Sequence, residues 1–189
     1  MSITVQSYNL KDRLALHYSD SKPAFAGVDP PFVTALREQA WAQFAQAGLP
    51  TAELEHWRGT NLEKAFETQY LFSTEPAGKG VDIESIFKCT IPHFETYLVT
   101  QLNGWYVYNG SPLRTLPNGM IVGSLASAMQ QYPGLIENYY GKLSAQSGET
   151  LTALNTSLAL DGIFVYVPDN ATVDETLQMV NLLDSPDNL

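Results

Sequence analysis

The sequence predicts an α+β protein: an N-terminal helical region, then a small antiparallel hairpin, then the opening of a β-stack close to the last residue. Three observations carry this. Val33, Leu36, Ala40, Phe44 and Ala47 recur at steps of three and four between Pro31 and Gly48. Asn103-Gly104 separates two strand-like runs, TYLVTQL and WYVY. Near the end, IFVYV (163–167) is apolar on both faces, and a second such run, Leu177 to Leu183, starts about fourteen residues after it.

Each element has its own local cause. Residues 4–19 read as a helix, a mixed segment with Val5, Tyr8, Leu14 and Leu16 as its apolar positions, followed by a loop from Ser19 to Pro31 that holds Pro23, Gly27 and Pro30. Pro31 opens the second helix, Gly48 ends it, and Pro50 confirms the stop. Thr60 begins T-N-L-E, a capping-box pattern, so a short helix is expected from Asn61 to about Glu67. Asn-Gly supplies the two positive-φ positions of a type I′ turn between the hairpin strands. Pro117-Asn118-Gly119 precedes a third strand, Met120 to Gly123. Residues 125–132 read as a helix stopped by Pro133, and Leu135, Tyr139 and Leu143 continue at four-residue spacing. Leu151, Leu154 and Leu158 mark a last helix, which Asp161-Gly162 breaks before IFVYV. Pro168-Asp169-Asn170 then turns the chain. The two final strands are read either as a hairpin with a loose loop or as the first rungs of a stacked parallel β-helix, in which each rung covers the next.

Composition narrows the function classes. The chain has 189 residues, 44% apolar and 11% aromatic, which is enough for a core. Charged residues are 16%, below the usual share of about 25%. Twenty acidic residues face ten basic ones, and the ten are scattered, so no basic stripe exists for nucleic acid or an anionic membrane. Cys89 is the sole cysteine, which excludes an internal disulfide. No cationic segment followed by an apolar run opens the sequence, and no run nears the roughly 18 apolar residues of a membrane span. The N-x-S/T triplets at Asn109, Asn155 and Asn170 are therefore read as chance, and a cytoplasmic protein is expected.

Catalytic signatures do not emerge. Gly78-Lys79 and Gly141-Lys142 lack the rest of a phosphate-binding loop, and no G-x-G-x-x-G, G-x-S-x-G or H-E-x-x-H occurs. His17, His56 and His93 lie far apart and are read as surface or internally satisfied side chains. Glu53 and His56 in ELEH sit at neighbouring helical positions but lack a third metal ligand. Cys89, beside Lys88 and four residues from His93, is read as an inert thiol. Trp105, Tyr106 and Tyr108, with Tyr97 across the turn, are either a hairpin clasp or a platform for sugar rings. The C-terminal acids (Asp161, Asp169, Asp174, Glu175, Asp184, Asp187) lack a calcium-loop spacing.

Two segments say more than any single motif. In Gly48–Leu62, Leu49, Pro50, Thr51, Glu55, Trp57, Arg58, Thr60, Asn61 and Leu62 match the pattern L-P-T-x-x-x-E-x-W-[KR]-Y-T-[ND]-L. In Ala153–Asn170, Ala153, Leu154, Asn155, Thr156, Asp161, Gly162, Val165, Val167 and Pro168 match A-L-N-T-A-x-x-x-D-G-x-x-[IV]-x-[VI]-P. Together, in this order, they resemble the SufD branch of the SufB/SufD family, scaffold subunits of the SUF iron-sulfur cluster assembly system. Gly59 departs from the usual aromatic, and Glu175-Thr176 from a frequent Glu-Pro. The resemblance covers nearly the whole chain but only the front of the family's length.

The resemblance implies a right-handed parallel β-helix that is truncated here, with residues 1–95 as the helical region, 96–160 as hairpin plus helices, and 161–189 as the start of the β-helix core. It also implies a non-catalytic scaffold role, with SufB-like and SufC-like subunits as partners of the full-length protein. Fe-S clusters, and ATP held by the SufC-like partner, belong to the full complex. No cofactor, metal or catalytic residue is carried onto this segment, and the matched residues are read as structural. The open end of the stack is expected to make the fragment self-associate. The rival reading is a carbohydrate-binding or carbohydrate-active β-helix protein that uses the aromatic hairpin.

Overall fold

The computed structural model describes residues 9–75, 96–108 and 110–184. The chain divides into two compact units. Of the described residues, one unit takes 9–73 and 137–158, and the other takes 74–136 and 159–184.

The first unit is helical. Helix α1 spans Leu10–Ala26, and Asn9 caps it by accepting the Asp12 amide at 2.9 Å. The part of the expected first helix before Asn9 lies outside the described residues. The expected loop from Ser19 is corrected: the helix runs through Pro23 for seven more residues. Burial explains this. Leu14, Tyr18, Ser21 and Phe25 continue one buried face past the proline, so tertiary packing outweighs one lost backbone hydrogen bond. Tyr18 stacks on Trp41 with ring centroids 4.4 Å apart.

Helix α2 spans Pro31–Ala47, as the periodicity predicts, and the Gly48 amide closes it on Phe44 O at 2.7 Å. A 3₁₀ turn at Glu55–Trp57 and a short helix α3 at Glu63–Glu67 follow. Here the capping expectation shifts by one residue. Asn61, not Thr60, accepts the Glu63 amide at 2.9 Å.

The second unit is built on strands. β1 (Thr96–Leu102) and β2 (Trp105–Val107) form the expected hairpin, with Leu102 opposite Trp105 and positive φ at Asn103 and Gly104. β3 (Leu113–Thr115) and β4 (Ile121–Ser124) form a second hairpin. β3 was not predicted, because a three-residue LRT shows no alternation. Gly123 is required where these strands cross: a Cβ there would stand 2.1 Å from Pro112 O. Helices α4 (Leu125–Gln131) and α5 (Pro133–Tyr139) follow, and the change of unit falls inside α5. Tyr139 and Leu143 are 70% and 83% exposed, so their four-residue spacing marks no core stripe.

Back in the first unit, α6 (Ser144–Ser147) leads to α7 (Thr150–Leu158). Helix α7 lies against α2 and α1, and Leu14, Phe44 and Ala153 form the buried core with Leu10, Trp41, Leu49, Leu154 and Leu158 around them. The chain then returns to the second unit as β5 (Ile163–Tyr166) and β6 (Thr176–Leu182).

These last strands do not pair with each other. β5 adds antiparallel to β4, giving the sheet β3-β4-β5. β6 adds parallel to β1 in a seven-pair ladder from Thr96↔Thr176 to Leu102↔Leu182, giving the sheet β2-β1-β6. The loose-hairpin reading is thereby corrected, and β5 and β6 are not stacked rungs of one sheet. Both sheets contribute to one core: Val99, Tyr106, Met120 and Val122, joined by Tyr97, Leu116, Ile163, Val165 and Leu177. Thus IFVYV leans on β4 along one edge and on this cluster through Ile163 and Val165. Its other edge carries no strand among the described residues.

One buried ion pair ties the first unit together. Arg37, 3% exposed, gives Nε to Asp29 Oδ2 at 2.5 Å and Nη2 to Oδ1 at 3.1 Å. Its Nη1 donates to Thr156 O and Ser157 O, both at 3.5 Å, and the guanidinium lies 4.4 Å above the Phe25 ring. A single cation thus engages the α1–α2 loop, α1 and the end of α7. Arg37→Met is expected to cost about 3–5 kcal/mol in chemical denaturation, because it strands a buried carboxylate, whereas the double change Arg37→Met with Asp29→Leu recovers much of the loss.

Candidate functional site

The sequence-marked residues converge on two small constructions, one in each unit. The first is built around Asp161. Its Oδ1 accepts Ser124 Oγ at 2.8 Å and the Ala126 amide at 3.0 Å, and its Oδ2 accepts the Tyr106 amide at 3.0 Å. Ser124 is also the N-cap of α4 and accepts the Ser127 amide at 3.1 Å. A carboxylate at this helix start meets unpaired amides and the positive end of the helix dipole. The next residue, Gly162, accepts the Leu125 amide at 2.9 Å. Asp161-Gly162 therefore clamps β2, β4 and α4 where β5 begins.

The second construction brings the two motif segments together. Leu49 from the early segment and Leu154 from the later one pack on the same core cluster. Trp57, half-buried, donates its indole N–H to Glu149 Oε2 at 3.2 Å, just before α7. Glu149 is a residue that no motif marks. Thr156 is buried and its hydroxyl returns to Thr152 O at 2.9 Å. Pro50 is buried and Leu62 half-buried, while Thr51, Glu55, Arg58, Thr60 and Asn61 are exposed. Asn155 is exposed too. Pro168 is half-buried and ends the β5 turn, where its carbonyl accepts the Ala171 amide at 3.2 Å.

Arg37, Asp29, Glu149 and Ser124 escaped sequence reasoning as site-building residues. Arg37 had a visible signal. It occupies the buried stripe of α2, between Val33 and Ala40, where a cation must find an internal partner. Glu149 had none.

Candidate chemistry elsewhere is thin. Among the described residues no group of three or more His, Cys, Asp and Glu side chains could hold a metal ion. Glu53 and His56 are both exposed, and the Cys89 and His93 readings lie outside the described residues. The aromatic hairpin does not form a platform. Tyr106 is 7% exposed and belongs to the core, Trp105 is half-buried, and of the hairpin set only Tyr108 is open, at 48%. Burial pushes the Tyr97 phenol above its ordinary pKa, against the pull of Arg114, whose guanidinium lies 5.1 Å over the ring. Burial likewise raises Tyr140, near Arg37 and Asp29. No helix among the described residues is long and apolar enough to cross a membrane.

Fold and site together define an α+β domain whose marked residues join chain segment to chain segment. Comparison with known proteins gives this domain its family. The family described as the SufBD protein N-terminal region matches residues 8–179. The iron-sulfur cluster assembly protein SufD of Bacillus subtilis is 26% identical over 165 residues, covering 84% of this chain and 37% of the relative. An Arabidopsis thaliana iron-sulfur cluster assembly SufBD family protein, ABCI9, is 32% identical over 82 residues, covering 43% of this chain and 17% of the relative. A Staphylococcus aureus SufBD family protein is 27% identical over 137 residues, covering 66% and 30%. No solved structure matches. The chain belongs to the SufBD family and corresponds to its N-terminal region. It spans between 17% and 37% of the length of these relatives.

The Asp161 clamp gives a direct test. Asp161→Asn keeps the shape but turns an acceptor into an amide N–H₂ facing backbone or hydroxyl donors. Two or three donors then compete for one oxygen, and the expected loss is about 2–4 kcal/mol in urea unfolding. Two-dimensional NMR should show the Tyr106 and Ala126 amides shifting most.

Proposed function

We propose that this chain is the N-terminal part of a non-catalytic scaffold subunit of a SUF-type iron-sulfur cluster assembly complex, and that its last strands seed a parallel β-helix. Family membership supports the assembly role. The observation that carries the scaffold reading is where the open strand edges fall. β5 and β6, the last two strands, are each the edge of a three-stranded sheet, and the two sheets share one core. β6 is seven residues long and carries none of the usual guards against further pairing: no proline, no lysine and no bulge. Its parallel, in-register ladder with β1 is the pairing mode by which one coil of a β-helix stacks on another. Met179, within this strand, is 59% exposed. A following coil would pair with the β6 edge.

In this reading Fe-S clusters and ATP are handled by the assembled complex, with SufB-like and SufC-like subunits as partners, and the residues of this region serve by folding. The Asp161 carboxylate accepts from three donors within its own unit, which suits a structural residue better than a proton carrier.

Co-expression tests the proposal. The protein in its longest native form, tagged at the N-terminus, is expected to co-purify with SufB-like and SufC-like subunits of the same organism. A folded protein that elutes alone under matched expression contradicts it. With both edges unpaired among the described residues, the 189-residue chain is expected to self-associate as its concentration rises, and a constant monomer mass in sedimentation velocity would count against the open-edge argument.

A further inference from the structure

Past α3, residues Thr68–Ser73 run without helix or strand at the end of the first unit's leading segment. This stretch is nevertheless fastened to α1 at several points. Arg13 Nη1 donates to Thr68 O at 3.5 Å, and Nη2 donates to Tyr70 O. The same guanidinium lies 5.3 Å from the centroid of the Phe72 ring. One helical turn on, His17 stacks against Phe72, with centroids 4.8 Å apart and planes 24° from parallel. Arg13 and His17 are four residues apart on α1 and so share one face. Phe72 is thus held by both residues, while Leu71 beside it is 77% exposed. These residues make a latch: a cation that holds carbonyls, and a titratable ring that holds an aromatic.

We propose that Thr68–Ser73 is a strap latched onto α1, and that protonation of His17 opens the latch. The neutral imidazole packs on Phe72 with one face withdrawn from water. Gaining a proton there buries part of a charge and places a second cation one turn from Arg13, which is already committed to the strap. The cationic ring keeps some attraction to the Phe72 face, and Asp20 on α1 favours the charge, but burial outweighs Asp20 and holds the His17 pKa below its ordinary 6.5. The strap itself brings Tyr70 as its one ionisable side chain. The sign follows from linkage. The docked state prefers the neutral ring, so docking is at full strength above pH 6.5 and weakens as pH falls through the lowered value. The two carbonyl bonds from Arg13 do not depend on the His17 proton.

Amide hydrogen exchange of the intact chain, corrected for the intrinsic pH dependence of exchange, reads the latch directly. Between pH 7.5 and pH 5, protection of the Tyr70 amide, which bonds Thr68 O at 3.0 Å, should fall several-fold while α2 amides keep theirs. His17→Phe retains an aromatic stack but cannot take a proton, and should hold the strap equally at both values. Unchanged wild-type protection, or an equal fall in His17→Phe, overturns the proposal. A second arm is independent of how well that variant folds. The His17 ring titration, followed by NMR, should move up toward 6.5 in Phe72→Ala. An identical titration in Phe72→Ala and wild type overturns the proposal as well.

Discussion

The second unit depends on a single carboxylate in the right place. Asp161 stands where the chain re-enters this unit after passing through the first, and it must draw strands from distant parts of the sequence into one arrangement. Its partners, Tyr106, Ser124 and Ala126, are 55, 37 and 35 residues away. Each would otherwise be a donor with part of its hydration removed and no acceptor, a cost of about 1–3 kcal/mol apiece. One acidic side chain answers all three, and at a helix start it also gains from the dipole. An aspartate is the side chain that can do this: its two oxygens accept from several directions, and it has no donor to conflict with the amides. Gly162 completes the junction by bonding Leu125, so β5 leaves the clamp already aligned with β4.

The later motif makes physical sense once the two units are separated. Ala153, Leu154 and Thr156 are committed to the first unit through the core cluster and the buried face of α7. Asp161, Gly162 and Val165 are committed to the second through the clamp and the shared sheet core. The motif marks the point where the chain passes from the first unit to the second. The early segment works within one unit. Gly48 and Pro50 stop α2, Leu49 joins the core, and Trp57 reaches Glu149 at the foot of α7. Arg37 then closes the other end of α7 onto the α1–α2 loop.

Local signals read from the sequence held where the cause was local. Pro31 and Gly48 bound α2, and Asn103-Gly104 turns the first hairpin. What was not legible depended on distant partners. Pro23 looked like a breaker, but a buried stripe from Tyr18 to Phe25 carries the helix through it. IFVYV is apolar on both faces, yet its strand residues are only half-buried and Val167 is 43% exposed, and nothing in its spacing says that β4, about 40 residues earlier, is the strand that meets it. The aromatic hairpin reads from sequence as a hairpin clasp or a platform for sugar rings, and the position of Tyr106 among Val99, Met120 and Val122 decides against the platform. Of the functional reading, the two motif segments were visible. Asp161 appeared as a turn former, not as a clamp, since its donors lie on three other elements.

The interleaving of the units limits how the chain can fold. β1 finds its parallel partner β6 80 residues later, and the intervening chain includes α6 and α7, which belong to the other unit. The first unit needs residues 137–158 to dock against α1 and α2, and the second needs the chain to return at 159. The non-local pairing makes closure slow, and the first sheet exposes a β1 edge until β6 arrives. During that interval an exposed strand edge invites pairing with another chain. Asp161 follows the end of α7 by three residues, so the clamp forms where the chain leaves the first unit for the second.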